Sequence, residues 1–198
     1  MRRVIVFALL ALALPMAAWA DGINLTNQFG SITISSSGIS TVGSELISFN
    51  NVVAPKGHSL GTVTYTTGAL LTGTIAGGGT FDPTGSTFIV TGKGSYGQPK
   101  GTIFSGTFVG PIDWTLVSQT HQKVTYTLTG SLSGQLYTGR TVTGSTTQTI
   151  VSSVGQIKGG VGHITFGSTH LNTPEPGTLG LLGTGLLGIA GAFRRKKV

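Results

Sequence analysis

Between Lys123 and Ser133 the chain sets Val124, Tyr126, Leu128 and Leu132 among Thr125, Thr127, Thr129 and Ser131, apolar and hydroxyl side chains in alternation. Successive side chains of a strand point to opposite faces, so this spacing sorts one apolar face from one hydroxyl face only if the backbone is extended. A helix would scatter the same residues around its axis. This is the longest such pattern in the protein, and it predicts a central strand.

The same alternation recurs at residues 31–35, 45–49, 61–66, 70–75, 86–90, 102–109, 112–116, 136–142, 146–151, 154–157 and 161–166. Val63 and Tyr65 share one face, and Ile112, Trp114 and Leu116 share another. Asn50-Asn51, Pro55-Lys56-Gly57, Gly77-Gly78-Gly79 and Asp82-Pro83-Thr84-Gly85 interrupt the runs with residues suited to turns. Strands at intervals of roughly eight to twelve residues are the mark of an all-β sandwich or barrel. No segment within residues 21–173 carries helical periodicity over three turns. The expectation is a single antiparallel β-sandwich of roughly eleven or twelve strands over residues 21–173, with a β-barrel and then a β-solenoid as alternatives. Val63-Thr64-Tyr65-Thr66 returns as Val124-Thr125-Tyr126-Thr127; chance recurrence in a threonine-rich chain is preferred to duplication.

Composition limits how such a domain is held together. Charged residues are 9% of the chain, where about 25% is usual, and 33 glycines exceed twice the usual share of about 7%. With no cysteine, disulfides contribute nothing, so sheet hydrogen bonding and apolar burial must stabilise the fold. The formal charge of +7 belongs mostly to the ends. Arg2, Arg3, Arg194, Arg195, Lys196 and Lys197 supply half of the 12 cations. Between them, Lys56, Lys93, Lys100, Lys123, Arg140 and Lys158 face Asp21, Glu45, Asp82 and Asp113. A basic balance concentrated at the termini describes membrane orientation and gives no support to a nucleic-acid partner.

Both ends read as targeting segments. Met1-Arg2-Arg3, an apolar run over residues 4–14 and the small residues Ala18 and Ala20 have the order of a signal peptide, cleaved after Ala20. Signal peptidase is the partner this implies. Near the other end, Pro174 and Pro176 hold Glu175 in a stretch that cannot become helical. Residues 179–193 form an apolar, glycine-rich run long enough for a short, marginal membrane helix, with Gly180, Thr184, Gly188 and Ala192 as a small-residue face. Arg194, Arg195, Lys196 and Lys197 then form a cytoplasmic stop, which places the domain outside.

The tail resembles the PEP-CTERM sorting signal of Gram-negative bacteria, through Pro174-Glu175-Pro176, the Gly/Leu-rich run and the basic end. The resemblance covers residues 174–198 and implies an exosortase-like processing enzyme as partner. It further implies a precursor anchored in the inner membrane and facing the periplasm, followed by delivery to the cell surface or an exopolysaccharide matrix. It implies nothing about the chemistry of the β domain.

Motifs for that chemistry are weak. Gly57-His58-Ser59-Leu60-Gly61 fits G-x-S-x-G, with Asp82 or Asp113 and His121, His163 or His170 following in triad order. Such an elbow hands its serine to a helix, whereas residues 62–67 read as strand, so a hairpin loop is expected. Gly92-Lys93-Gly94-Ser95-Tyr96-Gly97 fits G-x-G-x-x-G, but Pro99 and the run after it exclude the helix that a pyrophosphate needs. His58, His121, His163 and His170 are too scattered for a local metal motif, and Gly77 to Asp82 resembles only a single, imperfect calcium-roll repeat. The expectation is therefore a non-enzymatic structural or interaction protein with no cofactor or metal. A carbohydrate-binding module with Trp114, Tyr65, Tyr96, Tyr126 and Tyr137 as an aromatic platform is the alternative, and a serine hydrolase using Ser59 the remote one; for Trp114, core packing is expected.

Overall fold

A computed structural model describes residues 22–158 and 160–173. The chain forms strands β1 (Gly22–Gln28), β2 (Ser31–Ser35), β3 (Gly38–Val42), β4 (Ser44–Phe49), β5 (Val52–Val53), β6 (Gly61–Thr66) and β7 (Leu70–Thr74). Then follow β8 (Gly78–Phe81), β9 (Thr87–Lys93), β10 (Lys100–Gln119), β11 (Lys123–Leu136), β12 (Thr141–Ser153), the helical turn α1 (Val154–Lys158) and β13 (Val161–Asn172). Among the described residues no helix is long and apolar enough to cross a membrane.

Eight of these strands close into an antiparallel barrel. Around the ring β1 pairs β4, β4 pairs β6, β6 pairs β9 and β9 pairs β10, while β10, β11, β12 and β13 follow in turn. Gly22 to Asn27 then pair with Asn172 to Gly167, so β1 and β13 close the circle. The ring is the barrel named as the alternative to a sandwich, and the sandwich itself is not formed. In a sandwich the first and last strands can lie at open edges, whereas pairing them leaves the ring without an edge. The barrel is an up-and-down meander, because the eight ring strands follow one another in chain order.

Two hairpins are inserted at one end. The β2–β3 hairpin joins β13 at Val161 to His163 and touches β6 through Ser40 and Thr66. The β7–β8 hairpin joins β10 at Ile112 to Trp114. There Trp114 Nε1 donates to Ile75 O at 2.8 Å, Tyr126 Oη donates to Ala76 O at 2.8 Å, and the two rings stack at 4.4 Å. This is the capped end. At the opposite end, the terminal rim, both termini of the barrel emerge beside each other.

Strand boundaries differ from expectation where backbone geometry overrides local pattern. Residues 102–109 and 112–116 belong to the single strand β10, whose register shifts between Val109 and Asp113 around Gly110 and Pro111. Proline donates no ladder hydrogen bond, so it sits at the bulge where β10 leaves β9 for β8. Residues 136–142, expected as a strand, are mostly the turn between β11 and β12, and residues 154–157 lie in α1. β3 was hidden among small residues. The Val-Thr-Tyr-Thr echo falls on β6 and β11, which run in opposite directions around the ring, so it does not mark equivalent strands of two half-barrels.

The interior has two unlike sides. Tyr65, Phe88, Phe104 and Phe108 from β6, β9 and β10 pack ring on ring, with Tyr65 and Phe88 stacked at 5.8 Å and Phe108 edge-on to both. Across the barrel, Asn27, Ser44, Thr146, Gln148 and Thr169 are buried together. Asn27 Nδ2 donates to Gln148 Oε1 at 2.9 Å and to Ser44 Oγ at 2.7 Å, while Gln148 Nε2 donates back to Asn27 Oδ1 at 3.3 Å and to Thr146 Oγ1 at 2.8 Å. Gly167 leaves room for this amide pair, since a Cβ there would lie 2.2 Å from both side-chain oxygens. At the rim Gly61 has a similar task, because its Cβ would lie 1.8 Å from Thr91 O.

The outward face of β11 carries Thr125, Thr127, Thr129, Ser131 and Ser133 opposite buried Val124, Tyr126, Leu128 and Leu132. A barrel that crosses a membrane with its strands needs an apolar outer band. On β11 the outer face is hydroxyl and the inner face apolar, the opposite arrangement.

Candidate functional site at the terminal rim

Hydrogen bonds trace the rim from strand to strand. Gly22 and Thr143 both face Asn172, Gln135 faces Thr141, Phe104 faces Leu136 and Lys93 faces Lys100. Lys93 N donates to Leu60 O at 2.8 Å and Tyr137 N to Ile103 O at 2.9 Å. The rim therefore gathers the connection from β5 to β6, the β9–β10 loop, the β11–β12 turn, and the start of β1 with the end of β13.

The β5–β6 connection brings Lys56 and His58, both exposed, and the G-x-S-x-G serine. Ser59 is buried and its Oγ accepts a hydrogen bond from Lys93 Nζ. His58 is its only neighbour in sequence able to act as a base, but His58 is placed by its backbone alone, which donates to Pro55 O at 3.0 Å. Gly61 opens β6 directly afterwards, so the motif ends in a strand and no helix follows. The would-be partners lie elsewhere. His121 sits in the β10–β11 turn at the opposite end, His163 faces β2, and His170 contacts Asn24 on the barrel's outer wall. Asp82 Oδ1 accepts from Thr84 N at 2.8 Å, and bonds from the Thr84 backbone and side chain hold its carboxyl below the usual range. Asp113 lies mid-strand in β10. The structure does not bring these residues together with Ser59.

The G-x-G-x-x-G stretch forms the β9–β10 loop. Gly94, Tyr96 and Gly97 all have positive φ, and the chain returns antiparallel into β10. Tyr96 is thereby turned outward, 50% exposed. At the next turn Tyr137 is 59% exposed, beside exposed Arg140. Trp114, Tyr65 and Tyr126, the other members of the expected aromatic platform, are buried. For Trp114 this is the expected core position. Among the described residues no group of three histidine, cysteine or acidic side chains gathers as a metal site.

A shallow groove of about 270 Å³ lies away from the rim, lined by Thr33, Ser35, Ser37, Ser40, Thr66 and Thr67 with Gly38 and Ile39. Several of its hydroxyls are already engaged. Thr67 Oγ1 accepts from Ile39 N, Ser35 Oγ donates to Gly38 O, and the Thr66 hydroxyl meets that of Thr87.

What sequence reasoning missed is the grouping of cations. Lys56, Lys93, Lys100 and Arg140 are four of the six cations within residues 22–173, and all four are exposed at the rim. The acids Glu45, Asp82 and Asp113 lie in none of its loops or turns. The signal was present as cations flanking strand ends, but it needed the strand directions to be read.

Ala18 and Ala20, together with Pro174, Glu175, Pro176, the run 179–193 and Arg194, Arg195, Lys196 and Lys197, lie outside the described residues. No curated protein and no solved structure matches this chain. Residues 172–196 match the family model described as a PEP-CTERM protein-sorting motif, so the chain ends in a sorting segment of that family, which begins on the last residue of the barrel's closing strand.

Proposed function

We propose that this chain is an exported, non-enzymatic structural or interaction protein whose barrel is carried to the cell surface or extracellular matrix by a removable C-terminal segment. The observation that carries the reading is the junction at Asn172: the sorting match starts where β13 ends. Only Thr173 separates that strand from Pro174. The ring, its closing strand and its core all lie within residues 22–172, so removal of the tail leaves every barrel pairing in place.

In this reading signal peptidase acts after Ala20 and an exosortase-like enzyme acts at Pro174-Glu175-Pro176, while the run 179–193 and the basic stop hold the precursor in the inner membrane. The intact mass of the protein from its native host tests it. A product starting at Asp21 and ending near Pro174 is expected; retention of Arg194 to Val198 overturns processing.

No catalytic step belongs to the proposal. Its support is that exposed Lys93 donates to the Ser59 hydroxyl while the candidate acids and distant histidines lie apart from it. Labelling of folded protein at Ser59 by a fluorophosphonate would reverse this part of the reading. The hydroxyl outer face of β11 suits contact with a hydrated polysaccharide matrix, whereas an aromatic sugar platform loses three of its five members to the core.

A further inference from the structure

We infer that the terminal rim is a docking face for anionic phospholipid headgroups. Two independent features point there. The first is charge. Lys56, Lys93, Lys100 and Arg140 converge from three connections that are remote in sequence, and none is paired with a carboxylate among the described residues. Lys93 and Lys100 stand directly opposite each other across β9 and β10, an arrangement that costs stability unless an anion or solvent offsets it. Tyr96 and Tyr137, both about half exposed, lie in two of the same connections, β9–β10 and β11–β12, and tyrosine belongs at the headgroup level, where a ring meets apolar material and its hydroxyl stays wet.

The second feature is where the chain leaves. β13 ends at this rim, and six residues, Thr173 to Thr178, precede the apolar run that begins at Leu179. Six extended residues reach about 20 Å at most. A precursor held in a bilayer by that run would keep its barrel close to the headgroups, and the rim from which the tether leaves is the basic one. Juxtamembrane cations are attracted to anionic lipid over about one Debye length, roughly 8–10 Å at physiological salt. Among the residues whose side chains are described, Lys123 is the one cation at the capped end. The tether argument rests on the sorting reading above; the charge argument does not. An acidic polysaccharide offers similar charge, but the exit of the chain at this rim favours the membrane.

The test uses the barrel alone, residues 21–173, which hold all eight ring strands and the described core. Its binding is measured by co-sedimentation with phosphatidylcholine vesicles containing about one-third phosphatidylglycerol, and with pure phosphatidylcholine vesicles. Binding to the anionic vesicles is expected, falling by tenfold or more between low and physiological salt. Lys100→Gln with Arg140→Gln should weaken it by tenfold or more, while Lys123→Gln at the far end should leave it within twofold. Circular dichroism checks that the variants are folded, and Lys93→Gln replaces the double variant if that fails. Absence of binding, equal binding to neutral vesicles, an equal loss with Lys123→Gln, or binding to an acidic polysaccharide in place of vesicles would each overturn the inference. Because the tail is absent, none of these outcomes depends on whether the tail is cleaved.

Discussion

The two sides of the barrel interior solve burial in opposite ways. On the side formed by β1, β4, β12 and β13, Asn27 and Gln148 exchange hydrogen bonds and pass their remaining donors to Ser44 and Thr146. Thr146 also meets the Thr169 hydroxyl at 2.8 Å. On the side formed by β6, β9 and β10, four aromatic rings pack together and the buried Tyr65 hydroxyl has no hydrogen-bond partner among the described residues. A buried polar group left unpaired costs about 1–3 kcal/mol. The amide side avoids that cost by completing its network, whereas on the aromatic side ring packing must exceed it. The first side specifies register, since one residue of slip would turn Asn27 or Gln148 outward. The second supplies apolar volume.

The strongest way to break the contrast is Phe88→Ala. Phe88 touches Tyr65, Phe104 and Phe108, so truncation should cost about 3–5 kcal/mol in denaturant unfolding. A cost below about 1 kcal/mol would mean that the rings do not share one packed cluster.

On the other side, Gln148→Leu should cost about 2–4 kcal/mol, because Asn27 loses both an acceptor and a donor in a buried place. Adding Asn27→Leu should recover part of that loss, with a coupling of about 0.5–3 kcal/mol in a double-mutant cycle. Strict additivity would show that the two amides do not act as a pair. Gly167→Ala, which drives a Cβ between their oxygens, should cost on the order of 1–3 kcal/mol by overpacking.

Smallest, and opposite in sign, is Tyr65→Phe. Removing an unpartnered hydroxyl should be neutral or stabilise by up to about 1 kcal/mol, whereas Thr169→Val on the polar side should destabilise by about 1 kcal/mol. The pH dependence sharpens this. Burial raises the Tyr65 phenol above its ordinary 10.0, so near and above pH 10 the unfolded chain ionises this group while the folded barrel resists doing so. The stability it confers is complete below that range and declines as pH rises through it. Tyr65→Phe should flatten the alkaline decline in unfolding free energy. A residual slope should remain, because desolvation raises the Tyr126 phenol too; an unchanged slope would place the alkaline sensitivity elsewhere.

How much of this was legible follows from the range of the interactions. Val124, Tyr126, Leu128 and Leu132 announced their strand and its buried face, since a period of two is a local property of the backbone. Asn50-Asn51 announced a turn, and both residues adopt the positive φ of a tight hairpin between β4 and β5. Asn27 and Gln148 gave no sign of their partnership, being 121 residues apart and ordinary in any single window. Residues 102–109 and 112–116 read as separate strands because the bulge that joins them into β10 depends on where β8 docks.

The sorting segment was readable for a related reason. Its signal is the linear order of Pro174-Glu175-Pro176, an apolar run and four cations, and no folding is needed to bring those parts together. The rim cations were not readable in this way. Lys56, Lys93, Lys100 and Arg140 are dispersed in sequence, and only the alternating direction of eight paired strands brings them to one end.

By itself, then, the sequence determined most of the strands, the two faces of β11 and the C-terminal sorting motif, because each depends on residues within a few positions of one another. Closure into a barrel, the buried amide pair and the basic rim were decided only by tertiary structure. Each requires residues far apart in the chain to meet, and the register of β1 against β13 is what makes them meet.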